Sequence, residues 1–308
     1  MKIEKMEGLV AATFSNFDSK GSLKLSDIPS LVDKLYRDGL KGVFVCGTNG
    51  EGPNLTLAER MLVAERYVNA AKNKLKVFVH VGHSAIAEAR ELAIHAEQIG
   101  ADAISAVAAF YFRPVDTQNL VDCMAQIANA APTLPFYYYH IPTLTGVGMD
   151  MVKFLELAEE KIPNLAGIKY TASTLYEYQA CLNYKGGKYD MLFGYDEMLL
   201  PALALGAKGA VGSTYNFAAP LYLRMMDLYK YGQLEKAQEL QYHLVQMIRA
   251  FVKYSPIPAQ KAIMQMFDLD MGGCRLPLQG LRDEQKETLK NELDNLGFFH
   301  LLKTGLRI

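Results

Sequence analysis

The sequence lacks an excess of charge of either sign. Its 308 residues include 32 basic and 33 acidic side chains, and 21% of the chain is charged while 50% is hydrophobic. Nucleic acids and anionic membranes attract proteins through a strongly basic surface, which this balance does not predict. The composition is that of a globular protein with a large apolar core, and it argues against disorder and coiled coils. We therefore expect small molecules as the partners.

Long hydrophobic runs are also missing. No uninterrupted apolar run approaches the roughly 18 residues that would suggest a membrane span. The first ten residues, MKIEKMEGLV, do not contain the apolar core of a signal peptide. These two absences predict a cytoplasmic protein with no membrane partner.

Cysteine is scarce, and no two cysteines form a CxxC pair. The wide spacing fits reduced thiols better than a disulfide framework or a zinc site. The four residues are Cys46, Cys123, Cys181 and Cys274. His80 and His83 form an HxxH pair in VHVGHS, but no carboxylate or cysteine stands nearby at the spacing of a metal ligand. We interpret both as structural or loop histidines and predict no metal site.

Short apolar runs recur at the interval of one strand and one helix. Amphipathic stretches such as 55–71 and 85–100 separate them, with apolar residues returning every three or four positions. Runs without polar alternation are typical of parallel strands that are buried on both faces. The runs are LVAATF (9–14), GVFVCG (42–47), VFVHVG (77–82), AISAVA (103–108), FYYYHI (136–141), LAGIKY (165–170), MLFGYD (191–196) and GAVGST (209–214). Eight such units predict an α/β protein with a (β/α)8 TIM barrel, which we favour over an open doubly wound sheet.

The chain after the eighth run contains only helical patterns. Two of them cover 233–254 and 281–297, and prolines at 256 and 258 and the glycine pair at 272–273 interrupt the tail. We predict three helices here that pack on the barrel. The predicted division is a barrel with the active site in residues 1–217, followed by the final barrel helix and a C-terminal helical extension in residues 218–308.

One lysine stands where a charged side chain is least expected. In NLAGIKYTAST (164–174), Lys169 closes a run that should be buried on both faces. The active sites of (β/α)8 barrels lie at the carboxyl ends of the strands. Burial there would lower the pKa of the amine and supply the neutral nucleophile that attacks a carbonyl carbon. The alternative is a strand-end lysine whose ammonium extends to solvent.

The turn after the second run carries candidate binding groups. GTNGEG (47–52) is rich in glycine, and its backbone N–H groups, together with the Thr48 and Asn49 side chains, are suited to hold a carboxylate. An ordinary glycine turn before a helix capped near Thr56 is an equal alternative.

The fifth run ends in three tyrosines. Alternation along a strand directs Tyr137 and Tyr139 inward and Tyr138 outward. An inward phenol at the strand end is able to relay a proton at the carbon that reacts. The alternative is a packing residue with one satisfied hydroxyl.

Taken in order, these motifs resemble one family over nearly the whole chain: the pyruvate-dependent class I aldolases related to dihydrodipicolinate synthase. GTNGE (47–51) looks like the family's pyruvate-carboxylate loop, YHIPTLTG (139–146) like its tyrosine motif, and GIKYT (167–171) like its Schiff-base strand. The resemblance implies a (β/α)8 barrel with a C-terminal helical extension, usually assembled as a homotetramer. It also implies that Lys169 forms an imine with the substrate, without a metal or organic cofactor, and that Tyr139 transfers the proton.

The resemblance favours a sugar acid as the substrate. Dihydrodipicolinate synthases normally have an arginine two residues after the proline of the tyrosine motif, where this sequence has Leu144. FGYDE (193–197) and GSTYNF (212–217) look instead like the polyol-binding segments of the members that cleave sialic acid, N-acetylneuraminate, to pyruvate and N-acetylmannosamine. The implied substrate-binding residues are Thr48, Asn49, Thr171, Gly194, Asp196, Glu197 and Ser213.

Four positions leave alternatives open. Asp196 and Glu197 are also suited to cap the helix that follows them. The family commonly has a serine or threonine where this sequence has Asn49, so a hydroxyl relay through that position is not implied. Tyr111 resembles the aromatic residue that the family places at the edge of a neighbouring subunit's site, but simple packing after the fourth strand is the alternative.

Two other functions are compatible with the same fold. One is a pyruvate-dependent aldolase of the family that acts on a different 2-keto acid. The more distant one is a binding or regulatory protein without catalysis, because a fold does not determine a function. The presence of both Lys169 and Tyr139 argues against the second.

Overall fold

The strands form one closed barrel. The computed structural model describes residues 3–304, so the first two residues of the N-terminal segment and residues 305–308 of the predicted extension lie outside the described part. The strands are β1 (Gly8–Ala12), β2 (Gly42–Val45), β3 (Lys76–His80), β4 (Ala103–Val107), β5 (Phe136–His140), β6 (Leu165–Tyr170), β7 (Asp190–Phe193) and β8 (Gly209–Gly212). Each strand pairs in parallel with the next, and β8 pairs with β1. The predicted (β/α)8 TIM barrel is confirmed.

Helices connect the strands around the outside of the barrel. They are α1 (Ile28–Arg37), α2 (Leu57–Ala71), α3 (Ile86–Gln98), α4 (Thr117–Ala128), α5 (Pro142–Thr145), α6 (Met151–Lys161), α7 (Leu175–Asn183), α8 (Leu199–Ala204) and α9 (Tyr215–Lys230). Short 3-10 turns cover Leu25–Asp27, Gly52–Asn54, Tyr184–Gly186 and Asp196–Met198. The predicted cap of α2 is confirmed, because the Thr56 hydroxyl accepts from the Glu59 backbone N–H and the Glu59 carboxylate accepts from the Thr56 backbone N–H.

The strands separate two apolar cores. Tyr137 and Tyr139 point into the barrel interior, as alternation predicts. Tyr138 points outward between the sheet and the helices, where its ring lies 4.7 Å from the ring of Phe154 in α6. Because both faces of each strand are covered, the strand sequences are apolar without alternation.

Four helices follow α9 in the described residues, where we predicted three. They are α10 (Leu234–Phe251), α11 (Pro256–Gln265), α12 (Asp283–Asn295) and α13 (Phe298–Thr304). The extra helix is α13, which the left-handed Gly297 (φ 69°) separates from α12. Its Phe298 packs edge-on against Phe217 and Phe267, contacts that local sequence does not reveal. The division after residue 217 stays a prediction, and α9 begins at Tyr215, two residues before it.

Some classes of feature are not found in residues 3–304. No helix there is long and apolar enough to cross a membrane. The same residues contain no group of three or more His, Cys, Asp or Glu side chains arranged to hold a metal ion. The four cysteines are free thiols, with Cys46 and Cys181 buried and the other two partly buried.

Candidate active site

Lys169 lies inside the carboxyl end of the barrel. It is the next-to-last residue of β6 and pairs in register with Tyr139 of β5. Only 3% of the residue is exposed. Its Nζ lies 3.9 Å from the centroid of the Phe44 ring and also 3.9 Å from the centroid of the Tyr139 ring. The ammonium does not extend to solvent, so the surface-lysine alternative is wrong.

Burial sets the charge of this amine. It lowers the pKa of Lys169 from 10.5 to about 7, and the carboxylate of Asp196 opposes the shift. The faces of two aromatic rings attract a cation, but they replace the hydration of an ammonium only in part. A large fraction of the amine is therefore neutral near pH 7, with its lone pair available for attack on a carbonyl carbon.

Tyr139 lies beside this amine and beside the turn after β2. Its hydroxyl and the Thr48 Oγ1 are 3.4 Å apart and share a hydrogen bond. Burial raises the pKa of Tyr139 to about 12, against the opposing effect of the Thr48 hydroxyl. The phenol is therefore protonated at neutral pH, and it accepts a proton from a substrate only if it passes its own proton on.

The turn after β2 has an unusual backbone. Two non-glycine residues, Cys46 (φ 58°) and Glu51 (φ 52°), adopt left-handed conformations at its two ends. Gly50 accepts a 2.6 Å hydrogen bond from the Ser15 hydroxyl, and this contact ties the turn to the end of β1. Thr48 and Asn49 between them are half-buried and belong to the same end of the barrel as Lys169.

Asp196 is held by the neighbouring strand. Its Oδ2 accepts hydrogen bonds from the Thr214 backbone N–H at 2.9 Å and from the Thr214 hydroxyl at 2.6 Å. A Cβ at Gly212 would lie 1.8 Å from Oδ1, so only glycine leaves room for this carboxylate. Burial raises the pKa of Asp196 to about 6, and the hydrogen bonds from Thr214 oppose the shift. Burial, together with this neighbouring carboxylate, holds the pKa of the Tyr215 phenol well above its ordinary value.

Neither acid caps α8 through a side-chain hydrogen bond, although both lie in the first turn of the 3-10 segment that precedes it. The N-cap residue of α8 is Met198, and the side chain that accepts from the first turn of that helix is Gln241, whose Oε1 binds the Leu200 backbone N–H at 2.9 Å. The 3-10 turn before it begins after Tyr195, again without a side-chain cap. Asp196 binds Thr214 instead, and Glu197 is exposed.

The remaining predicted residues line the same end of the barrel. Thr171 follows β6 directly, and its buried Oγ1 lies near the Tyr139 hydroxyl, whose pKa it helps to lower against the effect of burial. Gly194 follows β7, where a Cβ would lie 1.9 Å from the Thr171 Oγ1. Ser213 follows β8 and is half-buried. The roles of these side chains in binding stay predictions.

Tyr111 is far more exposed than the other predicted residues. It is 79% exposed in the segment between β4 and α4, and its ring packs edge-on against Phe112, which is 86% exposed. Leu144 in α5, the short helix after β5, is 60% exposed. The single chain thus leaves Tyr111 on its surface, and its role at a neighbouring subunit's site stays a prediction.

The sequence did not reveal two residues of the site as such. Phe44 lies under the amine, but in the sequence it is one apolar residue among many. His80 was noticed only as half of an HxxH pair. Its ring lies edge-on to Tyr139 at 6.0 Å, its Nδ1 donates to the Cys46 carbonyl at 3.1 Å, and its Nε2 accepts from the Val107 backbone N–H at 3.3 Å. Burial, with the nearby cations, holds the pKa of His80 well below its ordinary value, so this imidazole is neutral.

Comparison with known proteins shows similarity over nearly the whole chain. Residues 5–296 match the model of the dihydrodipicolinate synthetase family. The N-acetylneuraminate lyases of Homo sapiens and Rattus norvegicus are each 39% identical to this chain, over 98% of it and 97% of each relative. The solved structure of N-acetylneuraminate lyase (sialic acid aldolase) from Aliivibrio salmonicida is 40% identical with a TM-score of 0.93, over 96% of this chain and 98% of that one. The solved structure of the Proteus mirabilis N-acetylneuraminate lyase is 39% identical with a TM-score of 0.93, over 96% of this chain and 100% of that one.

The lowered pKa of Lys169 predicts a specific pH dependence. The neutral fraction of the amine rises as the pH increases through about 7. The rate of imine formation at Lys169, measured by cyanoborohydride trapping of a small ketone and peptide mass spectrometry, should rise about tenfold between pH 6 and 8 and then level off. A rate that continues to rise up to pH 10 would show that the amine has an ordinary lysine pKa.

Proposed function

This chain belongs to the dihydrodipicolinate synthetase family, and within it we propose that the protein is an aldolase, an oxo-acid lyase that cleaves N-acetylneuraminate to pyruvate and N-acetylmannosamine. The observation that carries the proposal is the desolvated amine of Lys169, in contact with the Tyr139 ring at the carboxyl end of the barrel. The similarity to N-acetylneuraminate lyases over the whole chain supports this choice of substrate.

Bond cleavage begins with an imine. The neutral Nζ of Lys169 attacks the C2 keto carbon of the open-chain sugar acid, and loss of water gives a protonated imine. This cation accepts the electron pair of the C3–C4 bond as that bond breaks, so the bond electrons end in an enamine of pyruvate. The imine is itself the electron sink, and the reaction therefore needs neither a metal nor an organic cofactor.

Tyr139 transfers the protons of the reaction. As the C3–C4 bond breaks, the C4 hydroxyl must lose its proton to become the aldehyde of N-acetylmannosamine. Because the phenol is protonated at rest, it takes this proton while passing its own to the substrate carboxylate. The same route in reverse returns a proton to C3 of the enamine, and water then releases pyruvate from Lys169.

The turn after β2 positions the substrate carboxylate. Thr48 and Asn49 are half-buried, Thr48 lies within hydrogen-bond distance of Tyr139, and the two side chains supply a hydroxyl and an amide as donors. Binding at this point sets C2 opposite the amine. In well-oriented reactions such positioning lowers the activation barrier by at most about 7–11 kcal/mol. Asn49 has no hydroxyl, so the proton route does not pass through it.

The sugar tail extends to the ends of β7 and β8. The carboxylates of Asp196 and Glu197 and the hydroxyl of Ser213 are suited to hydrogen-bond its hydroxyl groups. Thr171 and Gly194 complete the wall between the tail and Lys169. Leu144 offers no cation for a second carboxylate, which favours a polyol over a dicarboxylate.

Assembly and location form part of the proposal. The exposed aromatic pair Tyr111 and Phe112 supports a homotetramer in which Tyr111 reaches a neighbouring subunit's site. Four free cysteines at scattered positions support a cytoplasmic protein, since that compartment keeps thiols reduced.

Tyr139→Phe tests the proton transfer. The variant should still form the imine with pyruvate, because Lys169 is unchanged, but it should cleave N-acetylneuraminate at least about a hundredfold more slowly. The matched control is Tyr137→Phe, since Tyr137 also points into the barrel but donates to Asp190 at 2.9 Å. Stopped-flow pyruvate release from both variants decides the matter, and a near-normal kcat for Tyr139→Phe would rule out this role.

Glu197→Ala tests the substrate. Losing a hydrogen bond between a carboxylate and a sugar hydroxyl costs about 1.5–3 kcal/mol, so kcat/KM for N-acetylneuraminate should fall roughly ten- to a hundredfold. Shorter 2-keto-3-deoxy acids, which lack the tail, should be cleaved as by the parent. Glu239→Ala, an exposed acid on α10, is the control. If the parent prefers the shorter acids, or if Glu197→Ala loses equally on both substrates, the protein is an aldolase for another 2-keto acid.

A further inference from the structure

A buried ion pair joins the turn after β2 to the C-terminal extension. Lys261 of α11 donates to the Glu51 carboxylate at 2.8 Å, across 210 residues of sequence, and to the Gly273 carbonyl at 2.7 Å. The Lys261 and Glu51 side chains are 3% and 0% exposed. The Nζ of Lys261 also lies 4.7 Å from the centroid of the Phe17 ring.

This pair differs from the other ion pairs of residues 3–304. The next most buried one, Lys34 with Asp38, is 22% exposed on both sides, and such surface pairs contribute little. Burying two charges removes them from water at a cost that their attraction only about offsets. The pair therefore contributes little to stability. Its more important effect is that it fixes the position of the Glu51 side chain.

Glu51 determines the shape of the turn. Its backbone is left-handed, with φ 52° and ψ 32°, which is unfavourable for a residue other than glycine unless its surroundings hold it. Lys261 holds one carboxylate oxygen, and the Arg275 backbone N–H donates to the other at 2.9 Å. The Glu51 backbone N–H donates to the Thr48 carbonyl at 3.1 Å, so a shift of the Glu51 backbone would also displace Thr48.

On the basis of the proposed function, we propose that Lys261 is a positioning residue for carboxylate recognition. It does not contact the substrate. By holding Glu51 in its left-handed conformation, it keeps the donors of Thr48 and Asn49 directed at the substrate carboxylate. The C-terminal extension thereby helps to align the substrate with Lys169.

Lys261→Met tests this role through the choice between two carbonyl compounds. Pyruvate carries the carboxylate, whereas methyl pyruvate presents the same ketone as a neutral ester. In the variant, imine formation with pyruvate should need a roughly ten- to a hundredfold higher concentration, because a misplaced turn holds the carboxylate poorly. Imine formation with methyl pyruvate should stay within about twofold of the parent, because it does not use the turn. Cyanoborohydride trapping over a concentration series measures both.

The matched control is the same substitution elsewhere in the extension. Lys253 pairs with Glu292 at 2.5 Å between the end of α10 and α12, and its side chain is 57% exposed. Lys253→Met should leave the preference for pyruvate over methyl pyruvate unchanged. A loss in Lys261→Met that is equal for both compounds would overturn the proposal, since it would indicate general damage to the barrel.

A double variant covers the case in which Lys261→Met does not fold. Glu51→Gln combined with Lys261→Met leaves no buried charge unpaired, so the double variant should fold. It still lacks the ion pair that fixes Glu51 in the turn. We expect the same loss of preference for pyruvate in this variant. A parent-like preference would overturn the proposal. If the parent forms no imine with either compound, both the proposed function and this inference are wrong. If the parent forms the imine and the variants keep its preference for pyruvate, only this inference is wrong.

Discussion

The proposed reaction depends on keeping one lysine amine out of water. A closed barrel provides this environment, because its interior is filled by side chains and its strands leave no edge open. Phe44 and Tyr139 pack against the Nζ of Lys169, and the resulting loss of hydration lowers its pKa to about 7. Asp196 moderates the shift from the end of β7, and its own burial raises its pKa to about 6. The fold thus converts a poor nucleophile into one that is partly neutral near pH 7.

In the proposed reaction, the groups that bind the substrate come from separate parts of the chain. The turn after β2 supplies Thr48 and Asn49, and its shape depends on Glu51, which the extension holds through Lys261. The ends of β7 and β8 are fastened to each other by Asp196 and Thr214. In the proposed reaction the turn after β2 holds the carboxylate and the ends of β7 and β8 hold the polyol, so the two groups are bound by separate sets of residues. This separation makes their contributions measurable one at a time.

Patterns within a strand were predictable from the sequence, whereas contacts between distant strands were not. The eight strands follow from apolar runs without alternation, and the inward direction of Tyr139 follows from the period of two. The sequence left the direction of the Lys169 amine open, and the structure decides it, because Lys169 is 3% exposed inside the barrel. The engagement of Asp196 by Thr214 depends on the pairing of β7 with β8, and no local pattern marks it. The Glu51–Lys261 pair spans 210 residues, so it becomes visible only once the extension is folded onto the barrel.

The identity of the lysine that forms the imine tests the central claim most directly. Incubation of the parent with pyruvate and borohydride, followed by proteolysis and mass spectrometry, locates the reduced adduct on the chain. Because Lys169 combines burial inside the barrel with a pKa of about 7, we expect one adduct per chain on Lys169 and none in Lys169→Met. An adduct on another lysine, or equal trapping of Lys169→Met, would contradict the account.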